Sequence, residues 1–550
     1  AISLNSLLLW NVKDESIGQK YKKEFEKRNK EEFDWMTHSI AKTREITSNQ
    51  KLSVSIVEAD LYLNPREIKK SIATNLSFTG GIGETPYQVI ELNPGAQDEK
   101  ISWSFSDFIN EKGEKISQKD IAINELVFQY TSPDNNHETY LITGKYLKPL
   151  IDHSFLLKKK NNKYLWLQLN ITNKLPRGIY KGEMLFHHGN EAHKFPVEVN
   201  ILPYELPKID FPVGFFGLDP LPFTYFNGIG YSELRKKFRY LALEAIGQAG
   251  FTTFTGLPSE TAELDELFKA SAKWGIDTVY SYGGLFPSAR LDLSKKAADM
   301  SDDAYFEKAS KDLKILLAKK NWPKIVYTFS DEAGGYSDKV ATDLALARKL
   351  KKYFPFMALG GFGSFTGEDS KQLNAFFDYG FYSSLAKSDI LKLKDNNRRW
   401  GLYNTSPGNL DDPRFSFGLG LYIARQNGLS QYLEWHSSSV SNYPYYDFDG
   451  RESDVVMFYP TSSGKLLHSL RFEMASEGLH AFKKLKLLED AVENHLGPSD
   501  KNLLAKKWLT TLIKENYFYS SNTFLSNKKN NFRELDTKIN EHLKNIYMKK

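Results

Sequence analysis

The sequence predicts a chain in three parts: an N-terminal antiparallel β-sandwich, a central (β/α)8 TIM barrel and a C-terminal helical region. Three observations carry this expectation. Up to residue 205, apolar and polar residues alternate in short runs parted by turn clusters such as SPDNN and NKLPRG. From 212 the rhythm becomes strand, helix, strand, helix, with eight strand-like runs. From about 466 the apolar spacing is helical to the end. The expected parts are therefore 1–205, 212–460 and 461–550, and 550 residues is long enough for all three.

In the first part, a helical stretch at 21–36 precedes the runs 52–63, 101–109, 124–132, 164–172, 178–188 and 194–202. Their period of two predicts sheets with one buried and one wet face. YELPKIDFP (204–212), with its two prolines, reads as a linker. In the second part, strands are expected at 213–219, 252–257, 277–284, 324–332, 356–364, 380–385, 400–406 and 429–438. Between them, 231–250, 261–275, 304–321 and 338–354 place apolar residues at i, i+3, i+4 and i+7, the pattern of an amphipathic helix. Weaker helices are expected at 368–378, 387–399 and 413–428. A doubly wound open sheet is the alternative, but the first strand, VGFFGLDPLP, lacks a Gly-rich phosphate turn. An aromatic loop, SNYPYYDFDGRES (441–453), follows the eighth strand, and 468–495 is the clearest C-terminal helix.

Composition narrows the chemistry. The chain has no cysteine, which excludes disulfides, thiolate metal sites and a Cys nucleophile. Net charge is +5, concentrated in the last fifty residues, where eleven Lys/Arg face four Asp/Glu. That reads as a solvated lysine-rich helical end, and no nucleic-acid-binding signature accompanies it. No run approaches the roughly 18 apolar residues of a membrane helix. No H-x-H, HExxH or G-x-S-x-G appears, so neither a metal site, a cofactor nor a serine-hydrolase elbow is expected.

Barrel enzymes place their chemistry at the C-terminal ends of the strands. Those ends carry Asp219, Tyr280 and Tyr282, the adjacent acids Asp331 and Glu332, Tyr403 and Asn404, then Glu434, Trp435 and His436, with Asp447 and Asp449 beyond. Acids among flat aromatic rings suit glycoside cleavage: a carboxylic acid protonates the leaving oxygen while rings stack on sugar faces. An N-cap role for the Ser330-Asp331-Glu332 turn is the bland reading. The seventh strand, WGLYNTS, has no carboxylate, which argues against a nucleophile there. Two adjacent acids suit a substrate-assisted route, in which the sugar's 2-acetamido oxygen attacks the anomeric carbon. Two other readings stay open: Glu332 paired with a distant acid (Glu434, Asp447 or Asp449), and a non-catalytic carbohydrate-binding protein.

The Asp-Glu pair on the fourth strand, the preceding PRGIYKGEMLF…KFPVEVNILPYELP and the tail 457–490 together resemble glycoside hydrolase family 123. The resemblance spans roughly 170–490. It implies an exo-acting β-N-acetylgalactosaminidase working by substrate assistance on an oligosaccharide or glycan. Glu332 is then the general acid/base and Asp331 the residue that orients the acetamide. One of Tyr280, Tyr282 and Tyr403 is expected to bond the acetamide oxygen, with Trp435 as a sugar platform. Asn404, Asp219, Asp447 and Asp449 are further candidates for substrate contact. Ala333 stands where the family has proline, and SEGLHAF stands where its tail reads R-D-G-x-x-D-Y; both mark a divergent branch. The resemblance, with a chain that begins at Ala1 rather than Met, implies a secreted or periplasmic bacterial setting.

Overall fold

The protein was analysed as a computed structural model. The structure describes residues 52–59, 63, 65, 71–131, 141–159, 162–189, 191–219, 231–258, 261–281, 300–332, 337–363, 368–383, 385, 387–395, 399–405, 412–439, 445, 455–516 and 532–547. The helix expected at 21–36, Tyr282, Asp447 and Asp449 lie outside them.

Among the described residues, twelve strands precede the barrel: β1 (Ser53–Val57), β2 (Leu76–Ile82), β3 (Tyr87–Asn93), β4 (Glu99–Phe105), β5 (Phe108–Ile109), β6 (Lys115–Ile116), β7 (Ile121–Thr131), β8 (Leu141–Pro149), β9 (Ser154–Leu157), β10 (Lys163–Leu169), β11 (Gly178–His188) and β12 (Glu191–Glu205). They form two sheets, ordered β1-β3-β10-β7-β8 and β2-β12-β11-β4-β9. Ile90, Leu165 and Leu167 of the first meet Phe78, Tyr180 and Val199 of the second in one core. Fully burying each leucine contributes roughly 1.5–3 kcal/mol.

Three expectations are corrected here. β2 runs parallel to β12, so the sheets are not wholly antiparallel. The face of β10 turned away from the opposing sheet is not wet: Tyr164 and Trp166 are buried there against Leu470 and Met474. Finally, β12 continues through Tyr204 and Glu205, so the linker begins only at residue 206.

Eight parallel strands follow: β13 (Val213–Phe215), β14 (Thr253–Phe254), β15 (Thr278–Ser281), β16 (Lys324–Asp331), β17 (Ala358–Gly363), β18 (Tyr379–Tyr382), β19 (Arg399–Tyr403) and β20 (Gln431–Glu434). Their order, β14-β13-β20-β19-β18-β17-β16-β15, is a barrel closed everywhere except between β14 and β15. At that seam the Thr253 hydroxyl donates to the Thr278 carbonyl at 2.7 Å. The helices are α1 (Tyr231–Ala249), α2 (Thr261–Ala272), α3 (Asp302–Lys319), α4 (Ser337–Tyr353), α5 (Glu368–Asn374), α6 (Lys387–Asp395) and α7, which runs from Pro413–Phe415 through a π-helical turn, Ser416–Gly420, to Leu421–Gln426. Each crossover between successive strands carries one of them, as parallel pairing demands.

β13 and β14 are shorter than their apolar runs, β13 ending just before Gly217 turns to a left-handed backbone, φ 72°, and threonine hydroxyls add bonds to the backbone pairing beside them. The Val213 amide donates to the Thr252 hydroxyl at 2.9 Å, and the Gly217 amide to the Thr255 hydroxyl at 2.8 Å.

The chain ends in α8 (Leu470–Glu493), α9 (Ser499–Glu515) and α10 (Phe532–Tyr547). α8 begins at Ser469, whose hydroxyl accepts from the Phe472 amide. Its two apolar stripes face different partners: Leu470 and Met474 the first sheet, and Phe472, Leu479 and Phe482 the barrel side. A side chain at Gly478 would meet the Arg414 backbone at 2.7–3.1 Å, so the α7–α8 crossing needs glycine there. Lys484 on α8 binds Glu84 at 3.0 Å and Asp536 at 2.5 Å, linking sandwich and α10.

Beside this link, a cavity of 280 Å3 is lined by Glu477, Arg414 and Tyr87, among others. The Tyr87 hydroxyl donates to Glu477 at 2.7 Å. Burial pushes the Glu477 carboxyl up to about 7, against the pull of Arg414. The folded chain therefore holds a proton that the unfolded chain releases near 4.5. The stability from this proton is complete below 4.5 and is lost as pH rises through about 7, on the order of 1–3 kcal/mol. Glu477→Gln is expected to flatten urea-unfolding stability across that window relative to the unsubstituted chain. Parallel pH curves for the two proteins would refute the assignment.

Candidate active site

Regular alternation along β16 would turn Asp331 and Glu332 to opposite faces. Two irregularities prevent this. The register with β17 slips between Thr328 and Ser330, a bulge that adds a residue to β16. Ser330 consequently points outward and donates to Asp343 of α4 at 2.7 Å. Glu332 then adopts a left-handed backbone, φ 49°, while its amide stays bonded to the Phe362 carbonyl at 2.8 Å. Such a conformation is uncommon for a non-glycine residue and costs on the order of 1–3 kcal/mol.

Glu332 thereby reaches a phenol at the end of a neighbouring part of the barrel. Tyr403, at the end of β19, donates its hydroxyl to Glu332 Oε1 at 2.9 Å. Burial raises the Tyr403 pKa, and the charges of both Glu332 and Asp331 raise it further. The phenol thus stays neutral and remains a donor. Glu332 is exposed at the mouth, Asp331 partly covered, and Tyr403 buried at 5%. Lys339 of α4 donates to the Asp331 carbonyl, so its ammonium is held by backbone beside the pair.

Beneath the mouth, Phe216, Phe362, Phe381 and Leu433 form an apolar floor with Tyr403. Phe362 lies 5.2 Å from the Tyr403 ring, edge to face. Trp435, half-buried at the end of β20, packs on Phe216 at 5.2 Å. The His436 ring lies over Gly217, φ 72°, where a side chain would meet it at 2.5 Å. Asn404 sits beside Tyr403 with φ 55°, and its buried Oδ1 has no hydrogen-bond partner among the described residues.

The other candidates lie elsewhere. Tyr280 is fully buried deep in the barrel, its hydroxyl on Gln431 at 3.0 Å and its ring against Phe381. It faces the lumen but lies below the mouth. Asp219 pairs with Arg235 and Arg239 of α1, the latter at 3.5 Å, so its charge is spent on the barrel wall. Glu434 points away from the lumen, fully buried, and accepts from Tyr432 at 2.5 Å and Thr405 at 3.1 Å. It cannot face Glu332 across the mouth. Of the aromatic loop, Tyr445 is described: its hydroxyl bonds the Pro460 carbonyl, and its ring packs on Tyr146 and Tyr459.

Sequence reasoning did not single out Phe216 and Phe362, which frame the acids. Their signal was present as aromatic residues at the C-terminal ends of apolar strands. No cluster of His, Asp and Glu able to hold a metal ion occurs among the described residues.

The eight-stranded parallel barrel behind its two sheets has a counterpart among solved structures. The chain aligns with a family 123 glycoside hydrolase from Clostridium perfringens, whose structure addresses glycolipid glycan hydrolysis, over 90% of this chain and 99% of the other. The TM-score is 0.65 at 14% identity, a likeness that establishes a common fold. The resemblance drawn from the sequence is thus met in the fold.

Two further solved structures align less well. One is a family 10 xylanase with a bacterial Ig-like domain from termite gut (TM-score 0.30, 10% identity, 74% of this chain and 100% of the other). The other is a Bifidobacterium dentium β-glucuronidase (TM-score 0.29, 10% identity, 79% and 66%). No family model and no curated protein matches the chain.

Proposed function

We propose that the protein is a glycoside hydrolase that cleaves a β-linked 2-acetamido-hexoside, of N-acetylgalactosamine type, with retention and substrate assistance. The observation that carries this reading is the hydrogen bond from the Tyr403 hydroxyl to Glu332 at the C-terminal mouth of the barrel, beside Asp331, the residue before it on the same strand end. The shared fold with a family 123 glycoside hydrolase supports the same class.

In this reading the sugar ring lies over the mouth, near the half-buried Trp435. The acetamide oxygen attacks the anomeric carbon as the bond to the leaving oxygen breaks, and Glu332 gives that oxygen its proton. Asp331 accepts a hydrogen bond from the acetamide N–H and balances the positive charge of the oxazolinium ring. Tyr403 shifts its hydrogen bond from Glu332 to the acetamide oxygen, holding it in line. Glu332, now ionised, takes a proton from water as it attacks the same carbon, and the acetamide is restored.

The alternative with two distant carboxylates loses Glu434 by its outward burial. Hydrolysis of aryl 2-acetamido-β-hexosides, compared with the matching 2-hydroxy glycosides, tests the proposal. Turnover confined to the acetamido sugars is expected; cleavage of the 2-hydroxy series at equal rates would dismiss substrate assistance.

A further inference from the structure

The barrel's other mouth holds a second concavity. The starts of β16, β17, β18 and β19 and the end of α3 surround a cavity of 710 Å3, within the roughly 300–1,000 Å3 of small-molecule sites. From Lys324 at the start of β16 to Asp331 at its end is about 23 Å at 3.3 Å per residue, so this cavity is separate from the acid pair.

Its lining combines rings and cations. Trp322, Phe356 and Phe377 form an apolar wall, and Phe356 is 39% exposed. Tyr379 is buried, and its hydroxyl accepts from both Lys324 Nζ and Arg399 Nη1. The ammonium lies 4.7 Å from the Tyr379 ring centre and the guanidinium carbon 5.0 Å. Two positive groups meeting at one neutral oxygen repel each other, and a phenol offers them no charge in return.

The acids nearby are engaged: Asp277, whose carbonyl accepts the Lys324 amide at 2.7 Å, takes the Thr278 hydroxyl on its carboxylate at 3.0 Å. Asp378 holds Lys351 at 2.9 Å and the Leu359 amide at 2.9 Å. Asp265 holds Lys320 at 2.5 Å and the Trp322 indole at 2.6 Å. Among the described residues, neither Lys324 nor Arg399 has a carboxylate partner.

We propose that this cavity binds an organic anion: a compact carboxylate, sulfate or phosphate on a body with an apolar face. The anionic group bridges Lys324 and Arg399 and relieves their repulsion; guanidinium geometry suits two oxygens of such a group. The body lies against Trp322 and Phe356.

Calorimetric titration of the full chain with naphthalene-2-sulfonate at low salt tests this. One saturable site per chain is expected, weakened about tenfold or more by Lys324→Gln and by Arg399→Gln, and weakened by added salt. Naphthalene-2-methanol and inorganic sulfate, each holding half of the required chemistry, are expected to bind about tenfold more weakly or less. Phe356→Ala leaves both cations in place and is also expected to weaken binding, so the test survives if a cation variant misfolds. Glu332→Gln is expected to bind as the unsubstituted chain does. Absence of a saturable site overturns the proposal, as does indifference to these three cavity substitutions. Equal binding of either half-probe, or loss of binding in Glu332→Gln, overturns it too.

Discussion

Glu332→Gln is expected to lower kcat about 10²–10⁴-fold on substrates with poor leaving groups, with little change in KM. The substitution keeps the side chain's volume and leaves an amide oxygen to accept the Tyr403 hydroxyl now bonded at 2.9 Å, so the site should keep its shape. What it loses is a transferable proton. The loss in kcat/KM, which reports bond cleavage, should therefore follow the leaving group: large for a sugar alcohol, small for an acidic phenol that departs unaided. With acidic phenols kcat stays lowered, because Glu332 also takes the water proton in the second step. Steady-state rates across aryl glycosides of graded leaving-group acidity check this. A uniform loss of kcat/KM across the series would show that Glu332 is not the proton donor.

Asp331→Asn is expected to give the complementary pattern, a fall in kcat of about 10²–10³ that does not depend on the leaving group. The carboxylate's role in the proposed route is to oppose charge on the acetamide nitrogen, which develops whatever departs. Asparagine keeps an acceptor oxygen but removes the charge. Near-normal turnover in Asp331→Asn would remove the residue from the mechanism. The two profiles divide labour between neighbours that no single rate measurement could separate.

Much of the barrel was legible in the sequence because buried parallel strands are short apolar runs and their covering helices carry a 3.6 period. All eight strands fall within two residues of an expected start, but β13 stops early, just before the left-handed turn at Gly217, and β14 is only two residues long. Alternation gives the face a residue occupies but not its depth: Tyr280 does face the lumen, yet lies beneath Phe381 rather than at the mouth. The pairing of Asp219 with Arg235 and Arg239 was not legible because both come from the following helix. The parallel pairing of β2 with β12 was illegible because it joins segments over a hundred residues apart. The adjacent acids were legible as an anomaly, but the slip between Thr328 and Ser330 that resolves it has no sequence signature.

The gap between β14 and β15 bears on how the protein behaves in company. A fully closed barrel has no free margins, whereas one with a gap has two, and unpaired backbone margins recruit strands from other molecules. Here one margin is only two residues long and buried, and a threonine hydroxyl occupies a carbonyl of the other. The split ring therefore offers a second molecule almost nothing to extend, and crowded solutions should not drive these chains together through their barrels.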